Sequence, residues 1–262
     1  MAEIIAIANQ KGGVGKTTTT LNLAYSLNQL GRKVLIVDFD SQANLTTCFG
    51  IEYPNNIEIN IAHLMVARMN DEELPDKSKY IISNKGVDII PSSIYLSVVD
   101  ANLRLEMGSE KILSEILEEL RDDYDYIIID TSPSLGSLTI NALSTADSAI
   151  ITVNPQLLAM MGLQDFLKTT KKIQKRINSR LIIKGILLTM CDSRTNLSKI
   201  LSEQVNEAYN GVVKIYKTNI PMTVKVGESI YYGQSIAEYS PKSKASIAYI
   251  DFAKEIIDYE KK

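Results

Sequence analysis

The chain has 262 residues, 45% of them hydrophobic, and a formal net charge of −3. This length allows one large α/β domain with a well-buried core over residues 1–262, and no linker-like stretch divides it. No apolar run approaches the roughly 18 residues that cross a bilayer. Cys48 and Cys191 lack the spacing of a metal or redox site, which favours a reducing cytoplasm.

The predicted elements alternate along the chain. Strands are predicted at 3–9, 33–39, 87–91, 125–130, 149–153 and 181–188, with a weaker one at 212–216; helices are predicted at 16–30, 109–122, 136–145, 161–178, 196–209 and 243–259. The strands are rich in Ile and Val and apolar on both faces, which is typical of parallel strands covered by helices. The sequence therefore predicts a doubly wound, mostly parallel sheet flanked by helices.

Three local predictions accompany this order. Ser109 is the expected N-cap of the helix EKILSEILEEL, and His63, the single histidine, is expected to be an ordinary helix residue. Residues 50–86 read as a helix-poor stretch without recognisable chemistry. Because the first strand begins near residue 3, we expect neither a signal peptide nor an N-terminal helix-turn-helix module before it.

The segment KGGVGKTT, residues 11–18, is the most informative feature of the chain. It follows an apolar strand and precedes a helical pattern, as a phosphate-binding loop does. Its glycines allow successive N–H groups to face one anion at a helix N-terminus. Lys16 then reaches the β- and γ-phosphates, and the Thr17 hydroxyl fits a Mg²⁺ ligand position. The general pattern G-x-x-x-x-G-K-[ST] is only partly satisfied, since its first glycine is missing and Lys11 precedes the glycines of the loop.

Acidic residues end two of the predicted strands. Asp38 and Asp40 lie in VDFDSQAN, and Asp130 lies in IIIDTSPS. Strand-end carboxylates beside a phosphate loop hold Mg²⁺ and its water shell, the role that best fits Asp130. Asp40 is the candidate for orienting the attacking water or for a water-mediated metal contact. Asp38 is open to a second interpretation, as a buried carboxylate that holds the glycine-rich loop by hydrogen bonds.

The remaining residues offer no nucleophile with a matching histidine. Phosphoryl transfer to water requires only positioning and charge stabilisation, so it is the reaction that these residues support. Charge is unevenly distributed: residues 1–150 carry 11 Lys/Arg and 21 Asp/Glu, whereas residues 151–262 carry 17 and 10. A basic second half indicates a surface that faces a polyanion, although an ordinary solvated helix face would look the same.

The chain resembles the ParA/MinD superfamily of deviant Walker A ATPases, and within it the short chromosome- or plasmid-type ParA (Soj-like) proteins. The resemblance rests on KGGVGKTTTTLNLAYSL, VLIVDFDSQANLT, YDYIIIDTSPSLGSLTINAL, GILLTMCDSRTNLS and SIAEYSPKSKASIAYIDFAKEI, in the family's order and over nearly the whole chain. It implies a P-loop fold that binds ATP and Mg²⁺ and hydrolyses ATP weakly until a partner stimulates it. It also implies a homodimer with ATP, non-specific DNA binding, a ParB-type centromere-binding partner and a nucleoid-associated cytoplasmic location.

The resemblance also assigns residues. It implies that Lys11 is the signature lysine, which enters the partner subunit's site, and that Gly12 makes the close contact between subunits. The implied nucleotide-binding set is Lys11, Gly12, Gly13, Val14, Gly15, Lys16, Thr17, Thr18 and Pro221. The implied metal set is Thr17, Asp40 and Asp130, and the implied catalytic set is Lys11, Lys16 and Asp40.

DNA contacts are implied for Arg194 in CDSRTNLS and Lys225 in IPMTVKVGES. Met222 replaces the first arginine of the family's IPRNVRL segment, and DTSPS replaces the commoner D-x-P-P-S, so the DNA surface departs from the family pattern. Basic residues at helical spacing form a second candidate surface: Lys168, Lys171, Lys172, Lys175 and Arg176.

Three other functions remain open. A MinD-like membrane switch needs a basic amphipathic C-terminal helix, whereas IAYIDFAKEIIDYEKK carries Asp251, Glu255, Asp258 and Glu260. An iron–sulfur or metabolic enzyme on the same scaffold needs interface cysteines, and the two present are not spaced for a cluster. An ATP-switched regulator that sequesters another protein is compatible with the sequence.

Replacing Lys16 by Ala is expected to abolish ATP binding, because it removes the positive charge that reaches the β- and γ-phosphates. Calorimetric titration of the variant with ATP and Mg²⁺ measures this. Retained tight binding would remove the phosphate-loop assignment.

Overall fold

The computed structural model describes residues 1–106, 108–192, 194–209 and 211–259, without the side chains of 157–161. Its centre is a seven-stranded sheet. The strands are β1 Glu3–Ala8, β2 Val34–Phe39, β3 Ile82–Asn84, β4 Val87–Ile90, β5 Tyr126–Thr131, β6 Ser148–Val153 and β7 Ile182–Leu188. Their order across the sheet is β3-β4-β2-β5-β1-β6-β7, and every neighbouring pair is parallel except the antiparallel β3–β4 pair.

Helices cover both faces of this sheet. They are α1 Lys16–Gln29, α2 Asn44–Cys48, α3 Ile61–Met69, α4 Leu96–Leu103, α5 Ile112–Glu118, α6 Ser137–Thr145, α7 Leu157–Arg176, α8 Asn196–Tyr209, α9 Val224–Tyr231, α10 Ile236–Tyr239 and α11 Lys244–Tyr259. Apolar residues of α3 to α8 pack in one layer, and those of α1, α2, α10 and α11 pack in the other. The predicted doubly wound α/β fold is confirmed.

The central strand β1 shows how the sequence creates two cores. Ile4, Ala6 and Ala8 pack on the α3–α8 side, whereas Ile5 and Ile7 pack on the α1 side. Successive side chains of a strand point to opposite faces, so a run that is apolar at every position buries both. Such a strand is stable only with a helical layer on each side.

The parallel arrangement brings several strand ends to one edge. In the register of β2 and β5, Asp38 lies opposite Asp130. The loop between β1 and α1 emerges at the same edge, because β5 pairs with β1 as well as with β2. Residues far apart in sequence therefore meet where the open α/β sheet offers its ligand-binding crevice.

Six of the seven predicted strands are confirmed within one residue at each end, but the strand at 212–216 is wrong. Only Ile215 forms a bridge, to Ile186 of β7. Val212 instead closes a turn, with its N–H 2.9 Å from the Tyr209 carbonyl oxygen. Residues 212–216 touch β7 at this one point and then leave the sheet. Their apolar side chains therefore pack without the ladder of backbone hydrogen bonds that defines a strand.

The predicted helix 109–122 is shorter than expected. A 3₁₀ turn over Ser109–Lys111 precedes α5, and Ser109 lies inside that turn, so its assignment as an N-cap is wrong. The chain is diverted by Gly108, which has a φ of 72° in the left-handed region favoured by glycine. Gly108 therefore takes the N-cap position, one residue before Ser109, where the capping pattern predicts it.

The description of residues 50–86 as helix-poor is also wrong, because α3 lies within it. The helix begins with a reciprocal capping box: the Asn60 side chain accepts the Ala62 N–H at 3.0 Å, and His63 Nδ1 accepts the Asn60 N–H at 3.3 Å. His63 is thus a helix residue as predicted, with a capping role. None of the helices that the structure describes is long and apolar enough to cross a membrane.

Gly185→Ala is expected to lower the free energy of unfolding by about 1–3 kcal/mol, the usual cost of overpacking. A Cβ at this position of β7 would lie 2.7 Å from Tyr216 Cε2 and 3.0 Å from the Lys214 carbonyl oxygen. Urea unfolding measures the change. Gly227→Ala in α9 is the matched control, because its Cβ would meet nothing within 4 Å and alanine favours helix. Equal stabilities of the two variants would contradict this packing.

Candidate nucleotide-binding site and basic surface

The loop between β1 and α1 curls through two left-handed glycines. Gly13 has a φ of 70°, and Gly15, the N-cap of α1, has a φ of 79°. Residues with a Cβ rarely adopt this conformation, so these glycines are needed for the loop to turn its N–H groups inward. The loop is held from the next strands: the Thr189 hydroxyl donates to the Val14 carbonyl oxygen at 2.9 Å, and the Asn9 amide donates to the Thr152 carbonyl oxygen at 2.7 Å.

Lys16 is buried at the start of α1, with only 7% of its surface exposed. Its Nζ donates to the Lys11 carbonyl oxygen at 3.1 Å, which keeps the side chain folded over the loop. Burial lowers the pKa of Lys16, while the negative charges of Asp130 and Asp40 act in the opposite direction. A buried ammonium with one neutral partner is ready to bind an anion.

Asp130 is buried at the end of β5; neither carboxylate oxygen has a partner with full hydrogen-bond geometry among the described residues, although the Thr17 hydroxyl is close enough to act on its pKa. Burial raises the pKa of Asp130 well above its usual value, and the charge of Asp38 adds to this. The Thr17 hydroxyl and the Lys16 charge partly offset the shift. An unpaired buried carboxylate is costly, and a ligand that brings a positive charge relieves that cost.

Asp38 is fully buried, but it does not hold the glycine-rich loop, so that interpretation is wrong. Its Oδ2 accepts the Thr46 N–H at 2.8 Å and the Thr46 hydroxyl at 2.7 Å, which ties β2 to α2. Burial raises the pKa of Asp38 to about 7, and the Thr46 hydrogen bonds act against this rise. Asp40 lies just beyond β2 with 8% of its surface exposed, and its Oδ1 accepts the Gln42 N–H at 3.1 Å.

These residues fit a triphosphate with Mg²⁺. The Thr17 hydroxyl lies beside the unpaired Asp130 carboxylate, and Lys16 faces the same point. No group of three or more His, Cys, Asp or Glu side chains that could hold a metal occurs in the described part of the chain. A bound Mg²⁺ would thus take most of its ligands from phosphate oxygens and water, as Mg²⁺ commonly does.

An apolar cavity of about 280 Å³ opens beside the phosphate loop. Gly15 and Thr18 form its wall on the loop side; Pro221, in the segment before α9, and Val226, within α9, face them. Its position next to the phosphate site suits a nucleotide base. The structure thereby brings Pro221 to the same site as residues 11–18, more than two hundred positions away in sequence.

Lys11 and Gly12 lie at the open side of the loop. Lys11 is half-buried, and its Nζ makes no hydrogen bond or ion pair with any described residue. Gly12 is exposed, and a Cβ there would meet only Pro133 Cβ at 3.8 Å, an ordinary contact. No steric reason within the subunit therefore requires glycine at position 12.

A basic cavity of about 340 Å³ lies near the apolar cavity, and it brings together Arg194, Lys225 and Lys244. Arg194 is 83% exposed in its side chain and makes two 2.9 Å contacts with the Asp192 carboxylate. Lys225 Nζ lies 3.1 Å from Ser240 Oγ. The five basic residues of α7 are exposed as predicted, but they do not line this cavity.

Sequence reasoning missed Lys244 as a member of this surface. The sequence did carry a signal, because SPKSKA has a serine followed by a lysine, as at a helix N-cap and first turn. In the structure the Ser243 hydroxyl accepts the Ser246 N–H at 3.1 Å, and Lys244 lies in the first turn of α11. Nothing in the local pattern shows that this helix start lies next to Arg194. That proximity is a property of the folded chain.

Known proteins share both the sequence and this architecture. A family model described as an AAA domain matches residues 2–183. The sporulation initiation inhibitor protein Soj of Bacillus subtilis is 42% identical over 98% of this chain and 98% of its own length. The chromosome partitioning protein ParA of Caulobacter vibrioides is 34% identical over 98% of this chain and 95% of its own length.

The chain belongs to the ParA/MinD-type partition ATPases, within the AAA domain family.

Solved structures agree with this ParA/MinD assignment of the fold. A cobyrinic acid a,c-diamide synthase from Mycobacterium smegmatis, with bound ADP and magnesium, is 32% identical at a TM-score of 0.85 and covers 100% of this chain and 96% of its own. The septum site-determining protein MinD from Pyrococcus horikoshii, complexed with Mg-ADP, is 27% identical at a TM-score of 0.79 and covers 98% and 96%.

In this ParA/MinD-type protein, Asp130→Asn is expected to stabilise the nucleotide-free form by about 1 kcal/mol at neutral pH, because burial raises the pKa of this carboxyl and so costs free energy that a neutral amide does not. The extra stability conferred by ATP with Mg²⁺ should decrease, since the metal loses a carboxylate. Urea unfolding with and without ATP and Mg²⁺ measures both effects. Asp165→Asn, at a carboxylate 70% exposed in its side chain, is the control and should change neither. A destabilised nucleotide-free Asp130→Asn protein would contradict the unpaired state of this carboxylate.

Proposed function

We propose that this protein is an ATP-dependent, dimerising ATPase that binds DNA without sequence preference in its ATP state and segregates a chromosome or plasmid with a ParB-type partner. Residues 1–262 would form a single ATPase domain, cytoplasmic and associated with the nucleoid. The observation that carries the proposal is the pair of lysines on one phosphate loop, with Lys16 turned inward onto the loop and Lys11 Nζ unpaired among the described residues at its open side.

ATP and Mg²⁺ are the cofactors in this proposal. Backbone N–H groups of residues 12–18 and Lys16 hold the phosphates, and the apolar cavity at Thr18 and Pro221 takes the base. Thr17 binds Mg²⁺ directly, while Asp130 and Asp40 act on its water shell. The unpaired oxygens of Asp130 support this arrangement, because a hydrated cation supplies the donors that they lack.

Hydrolysis in this proposal is transfer of the γ-phosphoryl group to water. Asp40 orients that water from the loop after β2, while Lys16 and Mg²⁺ balance the charge that develops on the phosphoryl oxygens. No other catalytic base is needed when positioning supplies most of the rate. A slow intrinsic rate that a ParB-type partner raises fits a site completed only by contacts from outside the subunit.

The dimer in this proposal is held together by the nucleotide. Lys11 of each subunit reaches the phosphates bound by the other, so two lysines neutralise one triphosphate. The open surroundings of Gly12 support this, since the closest approach then comes from the partner chain and not from within the subunit. Loss of the γ-phosphate removes part of that attraction and loosens the dimer.

DNA in this proposal contacts Arg194 and Lys225, together with Lys244 of the same cavity. Side chains from three separate segments converge there, which supports a phosphate-binding surface more strongly than the charge count does. The regularly spaced negative charges of duplex phosphates match a groove of lysine and arginine without demanding a base sequence. The basic face of α7 is a secondary candidate.

The α11 helix argues against a membrane switch. Its apolar residues Tyr249, Phe252 and Ile256 are buried against the α1 layer, so they are not free to enter a bilayer surface. Glu255 accepts the Thr218 N–H at 2.8 Å and so has a structural role. Glu260, also counted as acidic in the sequence, lies outside the described residues. The activity of the cobyrinic acid synthase is not carried over, because this chain is more identical to Soj and ParA than to the synthase.

Binding of a duplex of arbitrary sequence tests the proposal. The wild type should bind only with ATP and Mg²⁺, and the affinity should fall by about 10³-fold or more between 50 and 200 mM salt if six or more phosphates are contacted. Lys11→Ala should lose both ATP-dependent dimerisation, measured by sedimentation, and DNA binding. Arg194→Ala should still dimerise but bind DNA more weakly.

Arg180→Ala is the matched control for Arg194→Ala. Arg180 is exposed and precedes β7, whereas Arg194 follows that strand, so the two arginines lie at opposite ends of β7. It should bind DNA like the wild type. ATP-independent or salt-insensitive DNA binding would favour the regulator alternative over the partition proposal.

A further inference from the structure

A chain of buried hydrogen bonds connects the segment after β4 to the loop that carries Asp40. The Ser92 N–H donates to Thr46 Oγ1 at 2.9 Å, and the Thr46 hydroxyl donates to Asp38 Oδ2 at 2.7 Å. The other carboxylate oxygen, Asp38 Oδ1, accepts the Asp40 N–H at 3.3 Å. Ser92, Thr46 and Asp38 are completely buried. Bulk water therefore cannot reach this series of hydrogen bonds to replace a missing side chain.

The two oxygens of Asp38 fix different parts of the site. Oδ2 fixes α2 through both the N–H and the hydroxyl of Thr46, and Oδ1 fixes the backbone of Asp40. Hydrogen bonds to a buried carboxylate are strong and directional, and leaving one unmade is costly. The position of the Asp40 backbone is thus linked to Thr46.

Asp40 has little other support. Among the described residues its side chain accepts only the Gln42 N–H, at 3.1 Å and two residues away. Its carbonyl oxygen accepts the Ala43 N–H at 3.0 Å, and Ala43 has a φ of 52°, in the left-handed region that alanine rarely adopts. A tight turn of this kind keeps its shape only when its surroundings hold both ends. Asp38 holds the first end, and Thr46 in α2 holds the second.

We propose that Thr46 is a positioning residue for hydrolysis: its hydroxyl, through Asp38, sets the place from which Asp40 orients the attacking water. The inference rests on the proposed role of Asp40. Thr46 itself touches neither nucleotide nor water in this scheme. Its effect is geometric, and a displacement of the order of 1 Å in a positioning group lowers a rate by about 100-fold.

A purely structural role for Thr46 makes a different prediction. The hydroxyl would then contribute to folding alone, and its removal would lower the free energy of unfolding without changing the rate at which folded protein turns over bound ATP. A positioning role changes that rate per bound nucleotide and leaves the affinity for ATP nearly unchanged, because Lys16 and the phosphate loop are untouched.

The experiment compares Thr46→Val, Thr46→Ser and Asp40→Ala with the wild type. Valine keeps the shape of threonine and removes the hydroxyl, whereas serine keeps the hydroxyl. Three quantities are measured: ATP affinity with Mg²⁺, the single-turnover rate of bound ATP, and the free energy of unfolding in urea. Thr46→Val should lower the single-turnover rate about 10- to 100-fold with an affinity within about threefold of the wild type.

Thr46→Ser should restore the rate to within about threefold of the wild type, because it retains the donor to Asp38 and the acceptor for Ser92. A wild-type rate in Thr46→Val, alongside an inactive Asp40→Ala, overturns this inference and leaves the proposed hydrolysis intact. A wild-type rate in Asp40→Ala overturns the proposed role of Asp40 and this inference with it.

Asp38→Asn provides a second break in the same chain if Thr46→Val does not fold. The amide keeps the size of the carboxyl group, but its NH₂ group cannot accept the Thr46 or Asp40 hydrogen that the lost oxygen accepted. Asp38→Asn should also change the rate without changing the affinity: single turnover should be slower, and ATP affinity should stay within about threefold of the wild type. A wild-type rate in this variant also overturns the inference.

Discussion

Buried charge at one edge of a parallel sheet is the constraint on which the rest of this structure depends. Lys16, Asp38 and Asp130 are all removed from water within a few residues of the strand ends. Isolated charges are unfavourable in such surroundings, and the pKa directions of Lys16 and Asp130 reflect that cost. A metal-bound triphosphate supplies both signs of charge at once: its cation suits Asp130, and its phosphates suit Lys16.

The two-layered core makes this edge possible. Strands β1, β2 and β5 bury side chains on both faces, so they are held rigidly and end together. The phosphate loop is held at its base by Thr189, which follows β7, and by the bond from Asn9 to the Thr152 carbonyl oxygen of β6. Stability is concentrated in the apolar layers, which allows the site itself to remain electrostatically unfavourable without a ligand.

The basic cavity follows a different physical rule. Arg194, Lys225 and Lys244 lie at the surface, so their charges are solvated and cost little. Asp192 already forms an ion pair with Arg194, which fixes the direction of the guanidinium group. A polyanion that binds here would exchange counterions rather than desolvate a buried charge, and the resulting attraction would be sensitive to salt. The nucleotide site and this basic cavity thus differ in how strongly each depends on exclusion of water.

The sequence alone determined the doubly wound sheet. Strands that are apolar at every position, with amphipathic helices between them, have few other ways to bury their apolar surfaces. The sequence also predicts a phosphate and metal site at residues 11–18, Asp40 and Asp130, since glycine turns and strand-end carboxylates are local patterns. It did not locate α3, the 3₁₀ turn at Ser109 or the single bridge at Ile215, where short elements depend on contacts with distant residues.

Only the tertiary structure decided which distant residues share a site. It placed Lys244 beside Arg194, and Thr46 between Ser92 and Asp38. It also corrected the partner of Asp38, which is α2 and not the glycine-rich loop. Local patterns specify what a residue can do, but hydrogen bonds and cavities depend on distances between strand ends, and those distances are fixed only when the two helical layers close on the sheet.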